Sequence, residues 1–310
     1  MQNFYKILPE NINTSIALGF FDGIHSGHRK VIQSTVQAKS EGLCPVCFTF
    51  LQNPKNVLGK LENSEAVMTA EDKEKTLKAL GIEYICCIDF KSIMNMQAEE
   101  FVKTILFDKL KAKRLFCGFN YRFGKNGEGD IHLLEKLCRE NNVILTVMPP
   151  DTESGEVVSS TLIRSLIKQG NVKRANKLLC GKFGFSAEIQ HGKKLGRMLG
   201  TPTINQPLCK ELVVPAYGVY ASEVTLEDGR VFAGVTNIGI KPTVGGTIPV
   251  CETWMPEYNG GEIYGCKADI RLLDFIRAEK KFDSLDELKN AIVENGKTVL
   301  EIFNNRSNLI

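Results

Sequence analysis

The sequence is poor in histidine and tryptophan and has no long apolar run. Four histidines and one tryptophan occur among 310 residues. No uninterrupted apolar segment is long enough to span a bilayer, and the first residues lack the basic region, apolar stretch and cleavage site of a secretory signal. We therefore expect a cytoplasmic protein without a membrane partner.

The chain also lacks a strong charge imbalance. Lysine and arginine total 39 and aspartate and glutamate total 36, which gives a net charge of +3. A protein that coats nucleic acid needs a larger excess of positive charge. We therefore expect small-molecule partners, including acidic ones, and no nucleic acid. The oligomeric state stays open.

Cysteine is not scarce, but its ten copies are scattered, apart from the pair Cys86-Cys87. In a reducing compartment such residues are small buried hydrophobes rather than disulfides. Cys44-Pro-Val-Cys47 has the spacing of a metal or redox pair. It lies in the apolar segment LCPVCFTF, without a second such pair or nearby histidines, so we interpret it as packing.

Two kinds of pattern divide the chain. The first half alternates the apolar runs SIALGFF, VCFTF, YICCIDF, RLFCGF and VILTVMP with helical segments, which predicts a doubly wound parallel α/β sheet. Two short helices around Gly170 follow. Beyond them, short β segments rich in glycine and proline, a hairpin at Asp228-Gly229 and a terminal helix predict a small barrel. The predicted domains are 1–182 and 183–310.

The segment GFFDGIHSGH, residues 19–28, lies where the first strand gives way to a helix. A glycine-rich turn at a helix start offers backbone N–H groups to a phosphate. His25 and His28, three residues apart, can face the same phosphate as donors. Zinc binding is the alternative for this spacing, but the nearby sequence holds no third ligand and zinc leaves the glycines unexplained.

A second polar segment, VSSTLIR at residues 158–164, also begins a predicted helix. Its serine and threonine hydroxyls can cap the helix and contact phosphate, and Arg164, one turn on, can bind a departing pyrophosphate with two parallel hydrogen bonds. Taken alone, the segment would indicate only a helix cap.

The first segment resembles the HxGH motif of the nucleotidyltransferase superfamily, and the second resembles its SSTxxR motif. GFNYRFGKNGEGD, residues 118–130, is similar to the flavin segment of FAD synthetases. The resemblance implies that His25, His28 and Arg164 are catalytic. It implies nucleotide binding by Gly19, Phe20, Asp22, Gly23, Gly27, Ser159, Ser160 and Thr161. It implies flavin binding by Asn53, Pro54, Asn120, Tyr121, Arg122 and Phe123.

The sequence departs from that pattern at two places. Many FAD synthetases have TFEPHP after the second strand, where this chain has TFLQNP at residues 49–54. Asn120 stands where aspartate is common, which removes a charge but keeps a hydrogen-bonding side chain. A weakened adenylyltransferase site is therefore an alternative.

Four later segments, HGKKLGRMLGTPTIN, PAYGVY, GVTNIGIKPTV and CETWMPEYNGGEIYG, resemble riboflavin kinase in content and order. The resemblance implies that Glu252 is the base, that Thr203 is a Mg²⁺ ligand and that Arg277 closes over the flavin. Trp254 replaces a frequent histidine. The implied ATP and Mg²⁺ contacts are Gly196, Arg197, Gly200, Thr203 and Asn205.

Nearly the whole chain is similar to the bacterial bifunctional riboflavin kinase/FAD synthetase family. The resemblance implies a Rossmann-like doubly wound nucleotidyltransferase domain, then a six-stranded riboflavin kinase β-barrel with a C-terminal helix. It also implies ATP-dependent phosphorylation of riboflavin to FMN and adenylylation of FMN to FAD with release of pyrophosphate, with Mg²⁺ as cofactor. The alternatives are a kinase with a weakened second site and a flavin-sensing regulatory protein.

Overall fold

The computed structural model describes residues 8–9, 12–59, 65–192, 196, 200–243 and 246–305. The chain forms two compact units, Met1–Ser160 and Thr161–Ile310. The two helices that precede residue 182 therefore fall mainly in the second unit, and Asn176 there donates from Nδ2 to the Leu272 carbonyl at 2.8 Å. The domain boundary at 182 and 183 stays a prediction.

The first unit is built on a five-stranded parallel sheet, as the alternating pattern predicts. Its spatial order is β3-β2-β1-β4-β5, and every neighbouring pair is parallel. A two-stranded hairpin that the sequence did not predict, β6 and β7, follows the sheet. The strands are β1 (Thr14–Leu18), β2 (Cys44–Phe50), β3 (Tyr84–Ile88), β4 (Ala112–Gly118), β5 (Ile144–Met148), β6 (Thr152–Glu153) and β7 (Glu156–Val157).

Helices connect these strands, and side-chain caps fix where several of them begin. Thr69 caps α3 by accepting from the Asp72 N–H at 3.1 Å, and Asp130 caps α5 in the same way. The helices are α1 (Ser26–Gln37), α2 (Pro54–Val57), α3 (Ala70–Ala79), α4 (Ala98–Glu100), which continues as π-helical turns over Phe101–Lys109, and α5 (Ile131–Glu140).

The central strands are buried on both faces, because helices cover the sheet from each side. All five residues of β1 are buried, and so are the first six of β2. Cys44 and Cys47 belong to this core. The Cys44 thiol donates to Glu83 Oε2 at 3.3 Å, and burial raises the pKa of Cys44 to about 12. The packing interpretation of this cysteine pair is confirmed.

The second unit is a nearly closed antiparallel barrel preceded by α6 (Ser160–Lys168) and α7 (Val172–Leu178). The strand order is β8-β13-β10-β11-β12-β9, and the Gln190 N–H bonds the Asn205 carbonyl at 2.8 Å across the remaining gap. The elements are β8 (Gly184–Glu188), β9 (Thr203–Pro207), β10 (Gly218–Leu226), β11 (Val231–Thr243), β12 (Gly246–Trp254), β13 (Lys267–Ala278) and α8 (Leu285–Asn304).

Helix α8 covers the outside of the barrel. Val299 and Phe303 pack against Val219 and Ala221 of β10 and against Val235 of β11. Ser284 caps the helix by accepting from the Glu287 N–H at 3.2 Å. Within the described ranges, no helix combines the length and the apolar character that a membrane crossing requires.

A chain of hydroxyls runs through the barrel interior. Thr236 Oγ1 lies 2.7 Å from Ser222 Oγ and 2.9 Å from Thr253 Oγ1, and all three residues are fully buried. Ser222 also donates to the Gly234 carbonyl at 2.9 Å. A buried polar group that loses its partner costs about 1–3 kcal/mol. Removing one of these hydroxyls should therefore destabilise the barrel.

We expect Thr236→Val to destabilise the barrel by about 1–2 kcal/mol, because it keeps the side-chain shape but removes the central hydroxyl. The single tryptophan, Trp254, lies in β12 and reports barrel unfolding by its fluorescence in a urea titration. Thr225→Val, on the same sheet but without such a neighbour among the bonds described, is the matched control. Equal stability of both variants would contradict the prediction.

Candidate active sites

The turn between β1 and α1 has an unusual backbone. Phe21 and Ile24 have φ angles of 54° and 31°, and Gly23 has φ of 78°. The Phe21 ring lies so close that a Cβ on Gly19 would be 2.9 Å from its Cζ. Asp22 anchors the turn, because its Oδ1 accepts from the Val67 N–H at 2.8 Å. Left-handed backbone is costly for a bulky residue, and it clusters at functional sites.

The turn brings the two histidines into ring contact. Their centroids are 3.7 Å apart with planes inclined by 21°. His25 caps α1, since its Nδ1 accepts from the His28 N–H at 3.4 Å, so a neutral His25 ring carries its proton on Nε2. Phe21 meets His28 edge-on at 5.2 Å. Among the described residues, the buried His28 Nδ1 has no hydrogen-bond partner.

Burial favours the neutral form of both imidazole rings, because it lowers both pKa values. Burial lowers the pKa of His25 to about 4, and the Asp151 carboxylate offsets part of this effect. The pKa of His28 is also lowered, first by burial and then by the charges of His25 and Lys73. A neutral imidazole pair can offer hydrogen bonds, but no positive charge, to an anion.

The loops after β2 and β4 leave the same edge of the sheet, because the carboxyl ends of parallel strands lie together. Asn53 ends the β2 loop, and its carbonyl accepts from the Asn56 N–H at 2.9 Å as Pro54 begins α2. In the β4 loop, Gly118 and Asn120 precede Tyr121, whose N–H bonds the Gly118 carbonyl at 3.1 Å.

Two aromatics of the β4 loop, Tyr121 and Phe123, pack against the core, whereas Phe119 is exposed. Tyr121 stacks on Phe123 at 5.8 Å, and Phe123, only 6% exposed, contacts Phe101 at 5.9 Å. Arg122 is exposed and lies 3.9 Å from Asp130. The contacts described for Phe123 are packing contacts, and its role in flavin binding stays a prediction.

The serine-rich segment contacts the β1–α1 turn through Ser160. Ser160 Oγ donates to the Asp22 carbonyl at 2.8 Å, and Ser159 precedes it in the chain. Thr161 and Arg164 belong to the second unit, where Arg164 Nη2 donates to Thr161 Oγ1 at 3.4 Å across one turn of α6.

Sequence reasoning missed three residues at the first site. Asp151 forms an ion pair with Lys30, and its Cβ would lie 3.5 Å from a Cβ added at Gly27. Lys73 and Thr49 both donate to the carbonyl of Phe20. No pattern in the sequence distinguishes Lys73, because it lies in the charged helix segment AEDKEK.

In the barrel, strand register aligns the predicted kinase residues in two neighbouring rows. Asn205, Glu252 and Asn237 are cross-strand partners on β9, β12 and β11. Two residues further along β12, Trp254 pairs with Thr203 of β9. Alternate residues of a strand share a face, so both rows lie on the outer face, opposite the buried hydroxyls. Asn237 was not predicted.

A cavity of about 360 Å³ lies between these rows and α8. Gly196 and Thr203 line one part of it, and Glu252, Trp254 and Arg277 line another. Burial lowers the pKa of the Arg277 guanidinium, which lies over the Phe282 ring at 5.5 Å. The α8 side is formed by Leu288, Ile292 and Asn295, the last of which has a buried Nδ2 without a partner in the described part of the chain.

A second cavity of about 330 Å³ adjoins the first and shares Thr203. Tyr258, Tyr264 and the glycines 260 and 261 line it. Gly200 is exposed with φ of 79° and lies in the loop before β9. Arg197 lies outside the described residues.

These two units define a transferase with a nucleotidyltransferase-type sheet domain and a separate barrel domain. Models of two protein families match the chain in tandem: FAD synthetase over residues 8–162 and riboflavin kinase over residues 179–303. The chain belongs to the family of bifunctional riboflavin kinase/FMN adenylyltransferases.

Curated relatives carry that name over nearly their full length. The protein of Escherichia coli K12 is 33% identical over 290 residues, which cover 93% of this chain and 92% of the relative. The protein of Bacillus subtilis 168 is 32% identical over 307 residues, which cover 97% and 96%. The predicted parallel sheet and the predicted six-stranded barrel are both confirmed by the strand orders given above.

A solved structure shows the same fold. The crystal structure described as a macrolide-efflux protein from Streptococcus pneumoniae matches with a TM-score of 0.88 and 28% identity, over 96% of this chain and 97% of that one. Its description applies to that protein. The family of the present chain rests on the two family models and the curated relatives.

The depressed pKa of His25 can be tested by NMR. Because the chain has only four histidines, a ¹³C-edited titration resolves their rings, and His25→Asn, which keeps a capping acceptor, identifies one signal. We expect that ring to stay neutral down to about pH 4, and we expect ATP to raise its pKa because phosphate charge favours the protonated ring. A midpoint at the ordinary histidine pKa would contradict the burial described above.

Proposed function

We propose that the chain makes FAD from riboflavin in two ATP-dependent steps, with the kinase step in the barrel and the adenylyl step at the β1–α1 turn. One observation carries the proposal: the histidine pair and Glu252 lie in different units, each among the residues that its family model covers. The ten free thiols support a reducing compartment, and we propose the cytoplasm.

For the adenylyl step, we propose that an FMN phosphate oxygen attacks the α-phosphorus of ATP while the bond to pyrophosphate breaks. The FMN phosphate is already ionised at neutral pH, so the reaction needs positioning and charge stabilisation rather than a strong base. The contact pair of His25 and His28 at the start of α1 supports a role in holding phosphate oxygens. Arg164 is proposed to bind the leaving pyrophosphate.

For the kinase step, we propose that Glu252 accepts the proton of the riboflavin 5′ hydroxyl as its oxygen attacks the γ-phosphorus of ATP and ADP leaves. The cavity that holds Glu252 and Arg277 suits the flavin, and the adjoining glycine-lined cavity suits the nucleotide. Thr203, which lines both, supports phosphoryl transfer at their junction.

The donor chemistry of β9 fits Mg²⁺. Thr203 and Asn205 lie on the same face of the strand, and Asn205 is the cross-strand neighbour of Glu252, so hydroxyl, amide and carboxylate oxygens are grouped. We propose that Thr203, with Asn205 beside it, holds the ion, which neutralises phosphate charge when bound.

We expect His28→Ala to make FMN at the parent rate but to lose FAD formation by about a hundredfold or more, since one preorganised donor is removed. The measurement is chromatography of products after incubation with riboflavin, ATP and Mg²⁺. The parent protein is expected to make both products. FMN alone would favour a weakened second site, neither product would favour a flavin sensor, and equal loss of both activities in the variant would refute separate sites.

Glu252→Gln tests the kinase step. Glutamine keeps the size of glutamate but cannot accept the hydroxyl proton, so riboflavin phosphorylation should fall by about a hundredfold or more. The fall should appear in kcat, with riboflavin and ATP binding little changed and FAD formation from supplied FMN unaffected. Phosphorylation at the parent rate would require another base.

A further inference from the structure

Lys73 of α3 reaches back to the β1–α1 turn. Its Nζ donates to the Phe20 carbonyl at 3.1 Å and lies 4.2 Å from the centre of the Phe20 ring. Thr49 at the end of β2 donates to the same carbonyl from Oγ1 at 2.9 Å. Two donors from two elements distant in sequence therefore fix the orientation of one peptide group.

That peptide group precedes the left-handed Phe21. A bulky residue in this conformation is strained, so the surrounding contacts must hold it. The Phe21 ring is 1% exposed and forms the wall on which His28 rests edge-on. If the Phe20 carbonyl rotates, Phe21 can relax and His28 loses this wall.

The position is an unfavourable one for an ammonium group. Lys73 lines a mainly apolar cavity of about 340 Å³ together with Leu77 and Cys87. Burial lowers the pKa of Lys73, and the nearby Asp22 carboxylate offsets only part of this effect. An apolar side chain would pack here at less cost, so stability alone does not account for a lysine.

We infer that Lys73 is a positioning residue for FMN adenylylation: it fixes the Phe20–Phe21 peptide and, through Phe21, the ring of His28. The inference rests on the proposed role of His28 in the adenylyl step. Lys73 acts through Phe21 and His28 and does not contact the substrates itself. Its removal should therefore lower kcat and leave substrate affinity unchanged.

The test compares Lys73→Met with Lys73→Arg, which keeps cationic donors, and with Lys75→Met. Lys75 is an exposed lysine of the same helix, paired with Glu71. We expect Lys73→Met to lower kcat for FAD formation about tenfold or more, with KM for FMN and ATP within about twofold. Lys73→Arg should recover part of the loss, and Lys75→Met should match the parent. FMN formation from riboflavin by the same chain is the internal control.

A second measurement reads the position of the ring directly. The His28 NMR signal, identified by its loss in His28→Ala, should shift in Lys73→Met and in Thr49→Val, but not in Lys75→Met. If Lys73→Met fails to fold, Thr49→Val removes the other donor to the same carbonyl, and the same criteria apply to it. Unchanged kcat and an unmoved ring signal would overturn the inference.

Other results separate the inference from the proposed function. A raised KM for ATP with unchanged kcat would mean that Lys73 binds nucleotide directly, which also overturns the positioning role. If His28→Ala keeps full FAD formation, the proposed site itself fails, whatever Lys73→Met does.

Discussion

The first unit depends on a short, strained turn that has to leave a fully buried strand and start a helix. Phe21, Gly23 and Ile24 all adopt positive φ within this turn, and the strain is held by contacts from several elements: Thr49 and Lys73 on the Phe20 carbonyl, and Ser160 on that of Asp22. The result is a helix start whose cap is itself an imidazole. The same nitrogen that caps α1 therefore also sets the tautomer of the neutral His25 ring.

The barrel combines a buried interior with candidate site residues on its outer face. The middle parts of β10 and β11 are buried on both faces, with hydroxyls such as Thr236 inside and apolar residues such as Val235 under α8. The outer face holds Glu252 between Asn205 and Asn237 in register. Thr203, Glu252 and Arg277 thus lie on strands, Gly200 lies in the loop before β9, and α8 supplies the remaining wall of the cavity. A mutation that weakens α8 packing therefore affects stability and the cavity together.

Much of the fold follows from the sequence, because the sheet strands are apolar runs, of which β1 and β2 are almost fully buried. Cap residues such as Thr69 mark where helices begin. The hairpin of β6 and β7 was missed because its two-residue strands are exposed and have no apolar pattern. His25 and His28 were found because their contact is local. Lys73 and Asn237 were not, because their roles depend on contact with Phe20, 53 positions away, and on strand register, neither of which periodicity encodes.

The placement of the single tryptophan has a practical consequence. Trp254 lines the cavity that also contains Glu252 and Arg277, and the sheet unit contains no tryptophan at all. An isoalloxazine ring absorbs light where indole emits, so a flavin in that cavity quenches the intrinsic emission by energy transfer. Trp254 emission would therefore report a flavin bound at the proposed kinase site without any added label.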